Sequence, residues 1–231
     1  MNIVPFSLMY QAPPLGVVTS GLIMYLDAGL NASYPGSGTT WTDLSSNSNN
    51  GTLVNSPTYS SANGGSILFD GINNNVTTPL NTALGNFTVC CWFKPTDSTN
   101  PAYARLIDKN YLNGFWLGKD ASTSNSWGGG VREGSIPFGI FISLTDGQWN
   151  FLTSIRSSTT HTLYGNGITN TASNTVPSTA LDTTSLLIAQ YIGGGGYNFK
   201  GNVAVVQVYN RALTSAEVLQ NYNATKARYG Y

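Results

Sequence analysis

The sequence contains few charged residues. Asp, Glu, Lys and Arg make up 9% of the 231 residues, whereas they make up about a quarter of an ordinary soluble domain. The ten basic and ten acidic residues give a formal net charge of zero. Such a chain lacks the basic surface that nucleic acids and anionic membranes attract. The composition therefore excludes a charge-driven nucleic-acid partner and a charge-rich helical protein.

Long apolar runs and an early basic cluster are also missing. No apolar stretch approaches the roughly 20 residues that a membrane-spanning helix needs, so we expect no membrane insertion. The first basic residue is Lys94, so the N-terminal region has neither the basic start of a secretory signal peptide nor the arginines of a transit peptide. We therefore expect the chain to fold in the cytoplasm in which it is made.

Cysteine and histidine are scarce. The two cysteines, Cys90 and Cys91, are adjacent, and adjacent strand residues point to opposite faces, so a disulfide between them is disfavoured. We expect both to be small buried hydrophobic residues. His161 is the single histidine, which is too few for a His and Cys metal site.

Residues 1–20 carry no charge and are rich in apolar side chains. Pro5, Pro13 and Pro14 prevent this segment from forming a helix or a central strand. Because such a segment would be a liability if it were free in water, we expect it to pack on its own domain or to dock on a neighbouring subunit. We treat residues 1–20 as an N-terminal arm and residues 21–231 as one globular domain.

After the arm, short apolar runs alternate with clusters of Gly, Asn, Ser, Pro and Asp, a pattern typical of an all-β sandwich or barrel. In Trp149–Ile155, the apolar side chains alternate with Asn150, Ser154 and Arg156, which predicts a half-solvated antiparallel strand. The predicted strands are Leu22–Leu26, Ser66–Phe69, Asn75–Thr78, Phe87–Phe93, Arg105–Asp108, Gly114–Gly118, Phe138–Ile142, Trp149–Ile155, Thr160–Tyr164, Leu186–Ala189 and Val203–Tyr209.

Two short motifs predict local structure in detail. Gly165-Asn166-Gly167 follows an apolar run, and Asn-Gly accepts the positive φ angles of a type I′ hairpin turn. Thr214 stands three residues before Glu217, which is the spacing of a capping box at the start of a helix. We expect this helix, the one helix of the fold, to cover part of the sandwich.

Several segments taken together resemble the laminin-G-like, concanavalin A-like domains of phage virion proteins and bacterial surface proteins. The resemblance covers about residues 21–225 and implies an all-β, two-sheet antiparallel jelly-roll sandwich with one short C-terminal helix. It does not specify a function, because one scaffold of this type carries lectins, glycosidases, adhesion modules and building blocks. The segments are LIMYLDAG (22–29), WTDLSSNSNNGTL (41–53), ILFDG (67–71), FTVCCWFKP (87–95), QWNFLTSIRSSTTHTLYGNG (148–167) and FKGNVAVVQVYNRALTSAEVLQNY (199–222).

The sequence offers little for catalysis. A glycosidase needs two carboxylates on either side of the scissile bond, and the chain contains only two glutamates, Glu133 and Glu217. The capping box accounts for Glu217, and the clustered acids of the glucanase-type relatives are absent. We therefore predict no catalytic residue and a protein that is not an enzyme.

A structural calcium ion is the cofactor that the resemblance implies, since relatives often bind one through loop oxygens. The residues that correspond are Asp27, Asp43, Asp70 and Asn73. The alternative is that these residues only form turns and that the protein has no cofactor.

For sugar binding, the candidates are aromatic residues near glycine-rich or polar loops, because lectin sites combine a ring with polar groups in a shallow cleft. They are Trp127, Tyr197, Tyr191 and Tyr111. We expect Trp92, Trp116 and Trp149 to be core residues on strands instead.

These observations favour a non-enzymatic structural or adhesive protein on the exterior of a phage particle, either as capsid decoration or with a fibre. Its expected partners are other virion proteins, further copies of itself through residues 1–20, and a cell-surface glycan bound weakly. The alternative is a carbohydrate-binding lectin module that is extracellular or on a bacterial surface. A glycoside hydrolase is the least favoured interpretation.

Overall fold

The computed structural model describes residues 16–96, 99–110, 113–121, 124–133, 136–168, 173–176 and 183–231. In this part of the chain there are sixteen strands, one α-helix and two short 3-10 helices. The strands are β1 Leu22–Asp27, β2 Thr40–Trp41, β3 Gly51–Val54, β4 Thr58–Ser60, β5 Ser66–Asp70, β6 Asn75–Thr77, β7 Phe87–Pro95, β8 Arg105–Lys109, β9 Phe115–Lys119, β10 Ser126–Glu133, β11 Ile136–Ser143, β12 Asn150–Ser157, β13 Thr160–Gly165, β14 Ser173–Thr175, β15 Leu187–Ile188 and β16 Lys200–Tyr209. The helix α1 is Ser215–Thr225, and the 3-10 helices are Ala62–Gly64 and Lys226–Tyr229.

The strands form two antiparallel sheets. Sheet A has the order β14-β13-β12-β7-β16-β5-β4, and β1 also pairs with β16. Sheet B has the order β11-β10-β9-β8-β15-β6-β3-β2. The predicted two-sheet jelly-roll sandwich with one C-terminal helix is therefore confirmed.

The main core lies between the two sheets. Strand β7 at the centre of sheet A contributes alternate residues to it, and the residues between them face the other way, as the strand period of two requires. Cys91 is in this core, and Cys90 is on the opposite face of β7. Both thiols are free and buried, as predicted.

The outer face of sheet A is covered by α1 and by the residues that follow it. Trp92 is the centre of this second cluster: its ring stacks on Tyr229 at 4.3 Å between centroids, and its Nε1 donates to Thr225 Oγ1 at 2.8 Å. The capping box at Thr214 and Glu217 is present, which confirms the predicted start of the helix. None of the described helices is long and apolar enough to cross a membrane.

The prediction that β12 is half-solvated is wrong. Every residue from Asn150 to Arg156 is buried. The apolar residues Phe151 and Ile155 belong to the cluster under α1, whereas Ser154 faces sheet B, because a Cβ atom on Gly129 would lie 3.3 Å from its Oγ. The helix gives sheet A a second apolar surface, so the apolar face of β12 points outward.

The hairpin turn after β13 is confirmed. Asn166 and Gly167 both have positive φ, at 51° and 72°, as a type I′ turn requires. The amide of Ile168 donates to the Gly165 carbonyl at 3.0 Å, and the reverse bond measures 3.2 Å.

Only residues 16–20 of the predicted arm lie within the described residues, and they run along α1. The Val18 amide donates to Asn221 Oδ1 at 2.8 Å, and Gln220 Nε2 donates to the Gly16 carbonyl at 2.7 Å. The arm's role as a docking segment stays a prediction.

Candidate ligand-binding site

The outer face of sheet B carries an open cavity of about 490 Å³. This volume lies within the range of small-molecule sites, which run from about 300 to 1,000 Å³. The cavity lies where β8, β9 and β11 meet the loops that flank β8, β9 and β16. The residues that line it are Tyr103, Arg105, Trp116, Asp120, Ala121, Gly139, Phe141, Tyr191 and Tyr197.

Strand alternation and glycines create the floor of the cavity. Phe115 and Leu117 belong to the core between the sheets, so Trp116 between them faces outward. In the neighbouring strands, Trp116 pairs with Gly130 and Gly130 pairs with Gly139, so neither cross-strand position carries a side chain that would cover the ring. A Cβ atom on Gly139 would lie 3.2 Å from the Trp116 ring.

A bulge in β8 brings a buried ion pair to the same face. The register of β8 against β9 shifts between Arg105 and Ile107, and a bulge of this kind changes the direction of the side chains that follow it. Two residues three apart in a regular strand face opposite sides, yet Arg105 Nε lies 3.4 Å from Asp108 Oδ2. Arg105 therefore lies among the cavity residues although it is 4% exposed.

The Arg105 guanidinium holds the aromatic wall together. Its Cζ lies 4.4 Å from the centroid of Trp116 and 5.8 Å from that of Tyr191. Its Nη1 donates to the Tyr103 carbonyl at 3.1 Å. A cation near two rings is attracted by both π faces, so this side chain contacts Trp116, Tyr191 and the Tyr103 backbone at once.

Two tyrosines form the exposed rim. Tyr103 and Tyr197 are 45% and 39% exposed, and their rings meet edge to face at 6.1 Å and 81°. Tyr103 has a φ of 62°, an uncommon conformation for a non-glycine residue that is often associated with a functional site. Tyr191 continues the wall, with its ring 5.7 Å from that of Tyr197.

The loop between Tyr191 and Tyr197 consists of Gly193–Gly196 and Ile192. Gly194, Gly195 and Gly196 all have positive φ, between 70° and 87°, which glycine adopts without steric cost. The ends of the loop are attached to β8, because the Ala189 amide donates to the Leu106 carbonyl and the Arg105 amide donates to the Tyr197 carbonyl. The glycines therefore allow a tight loop that directs both rings at the cavity.

Asp120 supplies a carboxylate at the edge of the cavity. The side chain is half-buried. Its Oδ1 accepts the Ala121 amide at 2.6 Å, and its Oδ2 accepts the Ser126 hydroxyl at 3.4 Å. Together with the rings, this carboxylate makes a site in which apolar faces and a hydrogen-bond acceptor converge.

The structure brings two of the four predicted sugar-binding aromatics together, Tyr191 and Tyr197. Tyr111 lies outside the described residues. Trp127 does not fit the prediction, because it is fully buried and its Nε1 donates to Asp146 Oδ1 at 2.7 Å. Trp127 lies on β10, Ser126–Glu133, and both Trp127 and Val131 of this strand belong to the core between the sheets.

Sequence reasoning missed the other five side chains that form the wall, rim and edge. Trp116 was expected in the core because it lies on an apolar strand; it is on that strand, but on the outer face. For the remaining residues, the one available signal was the glycine pattern of β9 to β11, which leaves an open surface. The missed residues are Tyr103, Arg105, Trp116, Asp120 and Phe141.

The four residues that the family resemblance implied as calcium ligands do not form one site. Asp27 accepts two hydrogen bonds from the Arg228 guanidinium, at 2.8 and 2.7 Å, so its carboxylate is already neutralised. Asp43 accepts the amides of Tyr25, Ser45 and Asn49, so it organises a loop.

The carboxylate of Asp70 is also bonded within its own loop. One oxygen of Asp70 accepts the amides of Ile72, Asn73 and Asn74. Among the described residues, no three Asp, Glu, His or Cys side chains come close enough to hold a metal ion. The named residues therefore do not come together as one shared calcium site, and the alternatives of a structural calcium ion or no cofactor stay predictions.

The carboxylate that the sequence assigned to the helix start has that role. Glu217 Oε2 accepts the Thr214 amide at 2.9 Å, and Arg211 forms two hydrogen bonds with the carboxylate. The Arg211 guanidinium and the Thr214 amide hold the pKa of Glu217 at about 2. Glu217 is therefore an ionised carboxylate that caps the start of α1. It lies on the sheet A side of the sandwich, where α1 packs.

Solved structures of three kinds share this fold. The binding domain of Paraclostridial mosquitocidal protein 1 has 16% identity and a TM-score of 0.68, over 89% of this chain and 52% of that one. The binding domain of botulinum neurotoxin DC, in complex with SialylT, has 12% identity and a TM-score of 0.70, over 90% and 52%. Trypanosoma rangeli sialidase, in complex with sialic acid, has 15% identity and a TM-score of 0.67, over 94% and 35%.

The chain therefore spans about half the length of the two binding domains and about a third of the sialidase chain. At such identities the likeness shows the fold alone. No curated protein matches the sequence. The family model described as "Concanavalin A-like lectin/glucanases superfamily" matches residues 69–219, which is more than half of the chain. The chain, a lectin-like jelly roll, belongs to this superfamily.

Proposed function

We propose that this protein is a non-enzymatic carbohydrate-binding domain that holds a saccharide in the cavity on the outer face of sheet B. The observation that carries the proposal is the convergence of Tyr103, Tyr191 and Tyr197 with the carboxylate of Asp120 around an open cavity of about 490 Å³. Aromatic rings pack against the C–H faces of a sugar ring, and a carboxylate accepts its hydroxyl groups.

The polar atoms of the site support this assignment. Among the described residues, none forms a hydrogen bond with the hydroxyl of Tyr103 or Tyr197, so both are available to a ligand. The rings of the rim are already ordered by contact with one another, which reduces the entropy lost when a ligand binds.

The similar structures supply a second line of support. Two of them are binding domains, one in complex with SialylT, and the third is a sialidase in complex with sialic acid; at these identities they support saccharide binding as a class of function and not a particular sugar or charge. The absence of clustered acids in the sequence argues for binding without hydrolysis.

The test is a glycan array followed by calorimetry with the best ligand. We expect the full chain to bind at least one saccharide. Tyr197→Ala and Tyr103→Ala should each weaken binding about tenfold or more, as removal of a central aromatic contact does. Gly139→Val should weaken binding at least as much, because its methyl groups would enter the cavity beside Trp116.

Leu219→Ala is the matched control, because Leu219 is 44% exposed but lies on α1. This variant should bind the best ligand from the array with the same affinity as the original chain. Failure of the folded protein to bind any glycan on the array, or equal affinity in the three cavity variants, would contradict the proposal. Product formation with a bound saccharide would contradict the non-enzymatic role.

We also propose that the protein acts on the exterior of a phage particle, as a structural or adhesive component anchored by residues 1–20. The observation that favours this role is the attachment of residues 16–20 to α1, together with the charge-free, apolar sequence of residues 1–20. Such an arm is suited to bury its side chains against another virion protein or another copy of the chain.

Light scattering and immunogold labelling test this second role. We expect the full chain to self-associate or to be retained on particles, and Phe6→Asp with Leu8→Asp to abolish both. A monomer at all concentrations together with unlabelled particles would exclude it. Labelling of a bacterial surface instead would favour an extracellular lectin module.

A further inference from the structure

We infer that the cavity selects uncharged saccharides and rejects those that carry a carboxylate. The inference rests on the carbohydrate-binding function proposed above and names the ligand class. Its basis is the balance of formal charge between Arg105 and Asp120, which line the cavity, and Asp108, which pairs with Arg105.

The cation of the site is already neutralised. Arg105 and Asp108 form an ion pair whose side chains are 5% and 0% exposed. The guanidinium lies over the Trp116 ring and donates to the Tyr103 carbonyl. An anionic ligand would therefore meet a cation whose charge is balanced by a buried partner and whose ring-facing side is occupied.

Asp120 places a carboxylate with no ion-pair partner among the described residues at the edge of the cavity. In the described ranges, no Lys, Arg or His forms an ion pair with this carboxylate; the ion pairs of Asp108, Glu217 and Asp27 are with other arginines' side chains, those of Arg105, Arg211 and Arg228. Lys119 is adjacent in sequence, but its Nζ donates to the Asn100 carbonyl at 2.9 Å and is buried.

The position of Asp120 beside the rings affects neutral and acidic ligands differently. A sugar hydroxyl can donate to Asp120 while the ring packs on Tyr197, and such a bond to an ionised acceptor is among the stronger hydrogen bonds. A ligand carboxylate in the same place would be repelled, and a partly enclosed cavity screens that repulsion less than open water does.

The experiment measures affinity for saccharides paired so that they differ by one acidic group. The probes are the carboxamide of 3′-sialyllactose with 3′-sialyllactose and cellobiose with cellobiouronic acid, together with the best neutral ligand from the array and its uronic acid. We expect the neutral member to bind about tenfold more tightly or better, and raising the salt concentration to narrow this ratio.

Asp120→Asn isolates the cause. The substitution keeps an oxygen for the Ala121 amide but removes the charge, so the neutral-to-anionic affinity ratio should fall about tenfold. Glu217→Gln is the matched control, because it removes one negative charge on α1 while glutamine preserves the capping box. In this control the ratio should be the same as in the original chain.

The outcomes separate the two proposals. A preference for the neutral members that Asp120→Asn reduces supports the inference. Equal or tighter binding of the acidic members, or a ratio that Asp120→Asn leaves unchanged, overturns the inference and leaves the carbohydrate-binding function intact. Absence of binding to every saccharide overturns the proposed function, and the inference with it.

Discussion

Arg228→Ala is expected to lower the free energy of unfolding by about 3 kcal/mol, because it leaves the buried carboxylate of Asp27 without its cation. Asp27 is 1% exposed and Arg228 is 24% exposed, and the two side chains meet at 2.7 Å. The pair connects β1 to the last 3-10 helix, 201 residues away in sequence. Urea denaturation of the variant and the original chain measures the effect.

A second substitution tests whether the loss of stability comes from the charge of Asp27 that is left without a partner. Asn in place of Asp27 still accepts the Gly29 amide, which now bonds to Asp27 at 2.9 Å, but carries no charge. Arg228→Ala combined with Asp27→Asn should therefore lose less than the sum of the two single variants. Arg211→Ala is the comparison, since its pair with Glu217 is 30% and 27% exposed and should cost less than about 1 kcal/mol. Additive losses, or equal losses at the two arginines, would contradict this account.

Acidification from pH 7 to pH 4 is expected to remove about 3 kcal/mol of stability through His161 alone. The side chain is 0% exposed. Burial, reinforced by the neighbouring Arg156 guanidinium, lowers its pKa from 6.5 to about 4. The unfolded chain therefore binds a proton near pH 6.5, whereas the folded protein does not until about pH 4. The stability that the neutral His161 contributes is fully present above pH 6.5. It is lost as the pH falls from 6.5 towards 4.

The contacts of His161 explain why the folded protein keeps it neutral. One ring nitrogen, Nε2, is 2.8 Å from Ser154 Oγ, and Nδ1 has no hydrogen-bond partner in the described part of the structure. The opposite residue in the β12–β13 pair is Arg156, which is also buried. A second positive charge here would have neither water nor an anion from these residues to stabilise it.

The measurement is the unfolding free energy at several pH values for the original chain and for His161→Gln. Carboxylates elsewhere titrate in both proteins, so the difference between the two curves reports the histidine. We expect the curve of the original chain to fall more steeply between pH 6.5 and pH 4, by about 3 kcal/mol in total. Parallel curves would show that His161 does not couple folding to protonation.

Sequence patterns with a local physical cause predicted the structure well. The Asn166-Gly167 turn depends on the φ angles of two residues, and the start of α1 depends on hydrogen bonds between residues three apart. All eleven predicted strands are present. The five that were missed are β2, β3, β4, β10 and β14; four of them have two to four residues, and β10 contains three consecutive glycines.

Side-chain direction was less predictable. In β12 the apolar residues face α1, a partner that lies about 60 residues further along the chain and that strand alternation cannot identify. Trp127 next to three glycines suggested an exposed loop, but pairing with β9 and β11 makes this segment an internal strand. Polarity patterns show that two faces differ; they do not show which neighbour each face meets.

The sequence by itself determined the all-β class, the jelly-roll resemblance, the helix start, the hairpin and two of the cavity tyrosines, because these follow from local geometry and composition. Only the tertiary structure decided the rest of the site. Arg105 and Asp108 share a face because of a bulge in strand pairing, and Tyr103, Trp116 and Tyr197 meet because three separate segments converge on sheet B. Such contacts depend on register and on loop closure over long sequence separations, which a one-dimensional pattern does not contain.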